Sequence, residues 1–183
     1  MANDYTETLI ASRTMFAGAL LTLLEDRVAL PDGSSATREY VRHQGAAMVL
    51  PLFEDGNVLV ERQYRHPLRR HVLELPAGKI DPGEQAVETA RRELLEETGY
   101  RAGEWRHLTT LFPCVGYSDE RLELFLARKL EHEGHPGEHG EFLECVQLSL
   151  DRALELIAAG EINDAKTIVG LLWADKLRKN EWK

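Results

Sequence analysis

The chain has 183 residues, 43% of them hydrophobic and 29% charged, with a formal net charge of −9. That is the length of one globular domain with an ordinary composition and enough chain to bury a sizeable core. The acidic balance excludes a general nucleic-acid binder, which needs a basic surface to neutralise phosphates, and charges interrupt every apolar run before it reaches membrane-spanning length.

Strands are expected first, two or three of them between Thr14 and Arg42, with a turn at Pro31-Asp32-Gly33. Gly45 to Leu50 is an apolar run of buried-strand length. Glu54-Asp55-Gly56-Asn57 reads as a hairpin turn into a strand from Val58 to Gln63, and His71 to Leu75 is another short strand. The clearest helix runs from about Glu84 to Thr98. Asp81-Pro82-Gly83-Glu84 supplies a capping acceptor, a proline in the first turn and an acid three residues after the cap, and Gly99 ends the helix. Strands are expected at 106–112, 121–127 and 143–149, and amphipathic helices near 150–159 and 164–178. This order of elements predicts an α/β (α+β) fold, a mixed sheet between helices. The opening MANDYTETLI is acidic and lacks a signal-peptide apolar block. The two cysteines, Cys114 and Cys145, lack metal-site spacing, so the expected setting is reduced and cytoplasmic.

The long helix carries the chemistry. Glu93, Glu96 and Glu97 stand at i, i+3 and i+4 and share one face, while Val87, Ala90 and Leu94 form the core-facing stripe. Taken alone, such a triplet is a solvated acidic face whose like charges repel by about a few tenths of a kcal/mol per pair. A hard divalent cation turns the same acids into a site, because Mg²⁺ takes oxygen ligands and keeps positions open for phosphate oxygens. The surroundings favour the second reading. Gly78, Glu84, Arg92, Glu93, Glu96, Glu97 and Gly99 fit the spacing G-x5-E-x7-R-E-U-x-E-E-x-G-U, with Leu94 and Tyr100 at the bulky apolar positions U. Seven fixed residues match by chance about once in 10⁸ starting points. Gly78 lets the backbone turn so that the Ala77 carbonyl faces a metal, and Arg92 is placed to hold Glu96 or Glu84 by a charge-assisted hydrogen bond.

This pattern is the Nudix box, and the chain resembles Nudix hydrolases, in particular their ADP-ribose pyrophosphatase branch. Further matching stretches are Gly45-Ala46-Ala47, Leu50-Pro51, Arg62-Gln63-Tyr64-Arg65, Leu73 to Gly78, Gly116-Tyr117-Ser118-Asp119-Glu120 and Gly160 to Ala165. The resemblance implies Mg²⁺, with Mn²⁺ as a substitute, held by Glu93, Glu96, Glu97 and the Ala77 carbonyl, with Glu84 supporting the loop or a further metal. It implies hydrolysis of ADP-ribose to AMP and ribose 5-phosphate. Arg65 and Glu74 would contact substrate from the strands before the box. Arg38 and Glu39 would do so from an N-terminal β subdomain, residues 1–43, that forms a homodimer and holds the adenosine side, ahead of the hydrolase domain at 44–183. Phe16 is a candidate to stack on adenine. Gly116, Ser118 and Glu120 would border the distal sugar. The loop departs from the family there, with Val115 where proline is common and Pro113 two residues earlier. The catalytic base falls in the segment 131–141, at Glu141 by alignment, with Glu138 and Glu144 as its neighbours; the histidines of that segment match no closed zinc spacing.

Rival readings keep the chemistry or the fold. Another nucleoside diphosphate sugar, such as GDP-mannose or ADP-glucose, fits the same box. A non-catalytic ligand sensor of this fold is the other, and the full set of box acids disfavours it. No partner nucleic acid or membrane is expected.

Overall fold

The computed structural model describes residues 4–134 and 142–182. The chain divides into two compact units, one made of residues 1–44 with 114–121, the other of 45–113 with 122–183.

In the first unit, β1 (Thr8–Ala17), β2 (Thr22–Ala29) and β3 (Ser35–Arg42) form an antiparallel sheet in that order. The first strand begins six residues before the expected Thr14, because its register runs from Thr8 opposite Ala29. Leu24 and Val28 on the central strand are the buried apolar positions. The 114–121 loop is tied to the end of β3. The Val41 N–H donates to the Tyr117 carbonyl at 2.8 Å, and Asp119 accepts from the His43 N–H at 2.7 Å.

The second unit holds two sheets. β4 (Ala46–Pro51), β7 (Ala77–Lys79), β8 (Tyr100–Leu111) and β9 (Leu122–His132) form one, in the order β7-β4-β9-β8. β5 (Asn57–Arg65), β6 (Arg70–Glu74) and β10 (Leu143–Ser149) form the other, in the order β10-β5-β6. β4 and β9 pair in parallel and are covered on both faces, which is why Ala46–Pro51 reads as an unbroken apolar run. Alternation divides its side chains. Ala47 and Val49 join Ala90 and Leu94 of α1 (Ala86–Thr98), whereas Met48 and Leu50 join the larger core under α2 (Leu150–Ala158) and α3 (Ala165–Arg178). The expected single mixed sheet is therefore two sheets in this unit, with helices on both sides of β4 and β9.

β9 runs to His132, past the expected end at 127, and three further differences from expectation have local reasons. α1 starts at Ala86 rather than Glu84, because Glu84 closes a turn with Asp81 instead of entering the helix: its N–H donates to the Asp81 carbonyl at 2.9 Å. β8 starts at Tyr100, directly after the left-handed Gly99 (φ 72°), so chain direction reverses without a loop. β7, too short to leave a periodic signal, pairs Ala77, Gly78 and Lys79 with β4.

Candidate active site

The acidic face of α1 lies against β7. Gly78 is where the two meet: a Cβ there would fall 1.8 Å from Glu93 Oε1 and 2.0 Å from its Cδ, so only glycine leaves room for this carboxylate. One turn on, Glu97 is buried, and its Oε2 accepts the Ala77 N–H at 3.1 Å. Leu94 is fully buried on the adjoining, core-facing side of the helix and helps to fix its rotation. Burial of one such side chain contributes about 2–3 kcal/mol.

Arg92 gathers the remaining acids. Its guanidinium donates to Glu93 at 2.8 Å, to Glu96 at 3.1 Å and to both oxygens of Glu84, at 3.2 and 3.1 Å. The sequence left Glu84 and Glu96 as alternative partners; the arginine binds both. These partners, the hydrogen bond to Glu84 foremost, raise the Arg92 pKa. The bond from Arg92, with another from the Thr89 hydroxyl at 2.7 Å, lowers the Glu84 carboxyl to about 2. Among the described residues no three acids converge into a ready-made cation cage. The donor chemistry nonetheless fits a hard divalent ion: four carboxylates and a backbone segment within reach of them, with Gly78 keeping the approach open.

A second group of charges sits on the β5–β6 ribbon. Arg65 donates to both oxygens of Glu74, at 2.6 and 3.0 Å, in a fork-to-fork pair. Lys166, in the first turn of α3, binds the same carboxylate and also Asp164 at 2.8 Å. Burial pushes the Glu74 carboxyl up, but the Arg65 hydrogen bond and the Lys166 charge and hydrogen bond outweigh it and hold Glu74 below its usual range. Glu97 contributes to the raised pKa of Arg65, so this group and the α1 acids share one electrostatic neighbourhood. Between them stand two residues the sequence reading passed over. Glu61 is 3% exposed and lies opposite both Glu74 and Cys145 in the sheet. Cys145, whose thiol donates to the Glu97 carbonyl at 3.5 Å, is pushed up to about 11 by burial and by the charges of Glu61 and Glu97. Glu61 carries a signal only in hindsight, as the charge that ends the run Val58-Leu59-Val60; Lys166 carries none, since its contact spans 92 residues.

Thus the second unit brings together Ala77, Glu84, Arg92, Glu93, Glu96, Glu97, Arg65 and Glu74. Arg38, Glu39, Gly116, Ser118 and Glu120 belong to the first unit. There Arg38 is paired with Glu7, and Glu39 faces Glu25 across β2 and β3. The Ser118 hydroxyl donates to the Val41 carbonyl at 3.0 Å and accepts the Glu120 N–H at 3.1 Å, and Gly116 lies in the turn before them. Phe16 is exposed. Glu138 and Glu141 lie outside the described residues, while Glu144, on β10, is exposed and 3.4 Å from Arg62.

The NUDIX domain family matches residues 42–169, and the nucleoside diphosphate sugar hydrolase N-terminal domain family matches residues 7–41. An ADP-ribose pyrophosphatase of Bacillus subtilis (strain 168) is 39% identical over 163 residues, covering 88% of each chain. A methanol dehydrogenase activator of Bacillus methanolicus is 35% identical, covering 93% of this chain and 94% of its own. A crystal structure of an ADP compounds hydrolase superposes with a TM-score of 0.87 over 98% of both chains at 24% identity, a likeness of fold. No helix among the described residues is long and apolar enough to cross a membrane. With the box assembled on α1 and β7 and the family matching most of its length, the chain belongs to the Nudix family and is a Nudix hydrolase.

Proposed function

We propose that this enzyme hydrolyses the pyrophosphate of ADP-ribose to AMP and ribose 5-phosphate with Mg²⁺, Mn²⁺ being a substitute. The observation that carries the reading is the seating of Glu93 on Gly78 and of Glu97 on the Ala77 N–H, which keeps two hard oxygen donors beside the same short strand. The Ala77 carbonyl, Glu93, Glu96 and Glu97 would hold the metal. Bound there, a divalent ion neutralises the pyrophosphate and lowers the pKa of the attacking water. Arg92 keeps the acids apart and oriented, and Arg65, with N–H groups beyond those given to Glu74, takes a pyrophosphate oxygen. Water adds to phosphorus, its proton passes to a carboxylate, and the bridging P–O bond breaks. Glu141 is the proposed acceptor, with Glu138 or Glu144 as replacements.

In this reading residues 1–43 form the dimerisation subdomain, Arg38 and Glu39 serve the adenosine side, and Gly116, Ser118 and Glu120 border the distal ribose. The homodimer works in the cytoplasm on a small nucleotide sugar. Val115, 82% exposed where relatives of the ADP-ribose branch commonly carry proline, favours a second reading in which the sugar differs, as in GDP-mannose or ADP-glucose. Product analysis with ADP-ribose, GDP-mannose and ADP-glucose in parallel decides between them. AMP released from ADP-ribose fastest supports the first reading, and preference for either other sugar nucleotide replaces it with the second.

A further inference from the structure

The pairing of Glu74 with two cations has a cause in the sheet. Glu61 and Glu74 are directly opposite on β5 and β6, both buried, and like charges so placed destabilise a ribbon. A carboxylate in that position needs more than one counter-charge, and Glu74 receives two from different elements. Arg65 approaches along its own ribbon, and Lys166 reaches over from α3. The two cations differ in what else they face. Lys166 has a side chain only 17% exposed and is committed to Glu74 and Asp164, whereas the Arg65 side chain is 43% exposed.

The foot of Lys166 is fixed. Asp164 caps α3 by accepting the Thr167 N–H at 3.0 Å and the Thr167 hydroxyl at 2.6 Å, and that hydroxyl in turn accepts the Leu75 N–H at 2.8 Å. The start of α3 is thereby pinned to the chain immediately after Glu74, and the lysine cannot drift from the carboxylate it serves.

We infer that Lys166 is a positioning residue for substrate binding: by sharing Glu74 with Arg65 it leaves the arginine's charge available to an anionic pyrophosphate. Without the lysine, the buried carboxylate keeps Arg65 as its partner, draws the guanidinium inward and cancels its charge. The inference rests on the proposed role of Arg65 in placing the pyrophosphate.

The test is a double-mutant cycle on the full chain with Mg²⁺ and whichever sugar nucleotide of the panel the wild type hydrolyses. Lys166→Met should raise KM about tenfold while kcat stays within about threefold, the pattern of lost ground-state binding. In a Glu74→Gln background the same substitution should change KM less than about twofold, because the charge that Arg65 and Lys166 share is gone. Lys166→Gln, one atom shorter and keeping an N–H donor but not the charge, should reproduce the effect if the methionine variant does not fold. An unchanged KM in Lys166→Met, or an equal rise in both backgrounds, overturns the inference while leaving the hydrolase reading intact. A folded wild type that turns over no sugar nucleotide overturns both.

Discussion

Glu97 shows how one carboxylate serves structure and chemistry together. It is 7% exposed, it accepts the Ala77 N–H, and its charge is felt by both Arg65 and Cys145. Glutamine keeps an oxygen for the Ala77 N–H and removes only the charge. Glu97→Gln should therefore cut kcat by about 10²-fold or more and leave the thermal midpoint nearly unchanged; activity close to wild type would remove Glu97 from the metal set. At this scale the sequence was legible where chemistry is local. The acids of 93–97 are spaced by helix geometry, so their shared face follows from the chain itself. The Arg65–Glu74–Lys166 group was legible only in part. Its members come from two strands and a helix, and nothing in local spacing tells which lysine reaches across 92 positions.

Among elements, the contact between α1 and β7 matters most. β7 is three residues long and went unseen in the pattern, yet it sets how closely the helix approaches. Three residues leave no periodic signal, so the strand was missed; the helix start shifted for another reason, because Glu84 bonds to Asp81, Thr89 and Arg92, and these partners overrode the capping preference read from Asp81-Pro82-Gly83-Glu84. Gly78 tests this contact. In Gly78→Ala the methyl group meets the end of the Glu93 side chain rather than backbone, so the fold has a way to yield but the carboxylate must move. Displacing a catalytic group by about 1 Å costs as much as about 10²-fold in rate. Gly78→Ala should lower kcat/KM on that order with a melting temperature within a few degrees of wild type; full activity would show that the close approach has no role in catalysis.

At the scale of the whole molecule, the Nudix hydrolase assignment was legible in seven spaced residues, whereas a separate N-terminal segment was expected from the resemblance alone. The return of 114–121 to the first unit was not legible, since those residues pair with Val41 and His43 across a gap of more than 70 positions. β1 is an edge strand of ten exposed residues bearing Leu9, Ile10, Met15 and Phe16, a surface that soluble monomers seldom leave uncovered. The proposed homodimer would cover it: light scattering should give twice the mass of one chain, and Leu9→Lys with Phe16→Lys should halve it. A monomeric wild type would refute that part of the account.

The central claim is tested most directly by incubating the purified chain with ADP-ribose and Mg²⁺ and identifying the products, with and without EDTA. AMP and ribose 5-phosphate, abolished by the chelator and restored by added Mg²⁺, are the predicted result. Hydrolysis that persists undiminished with all divalent metal removed would contradict it.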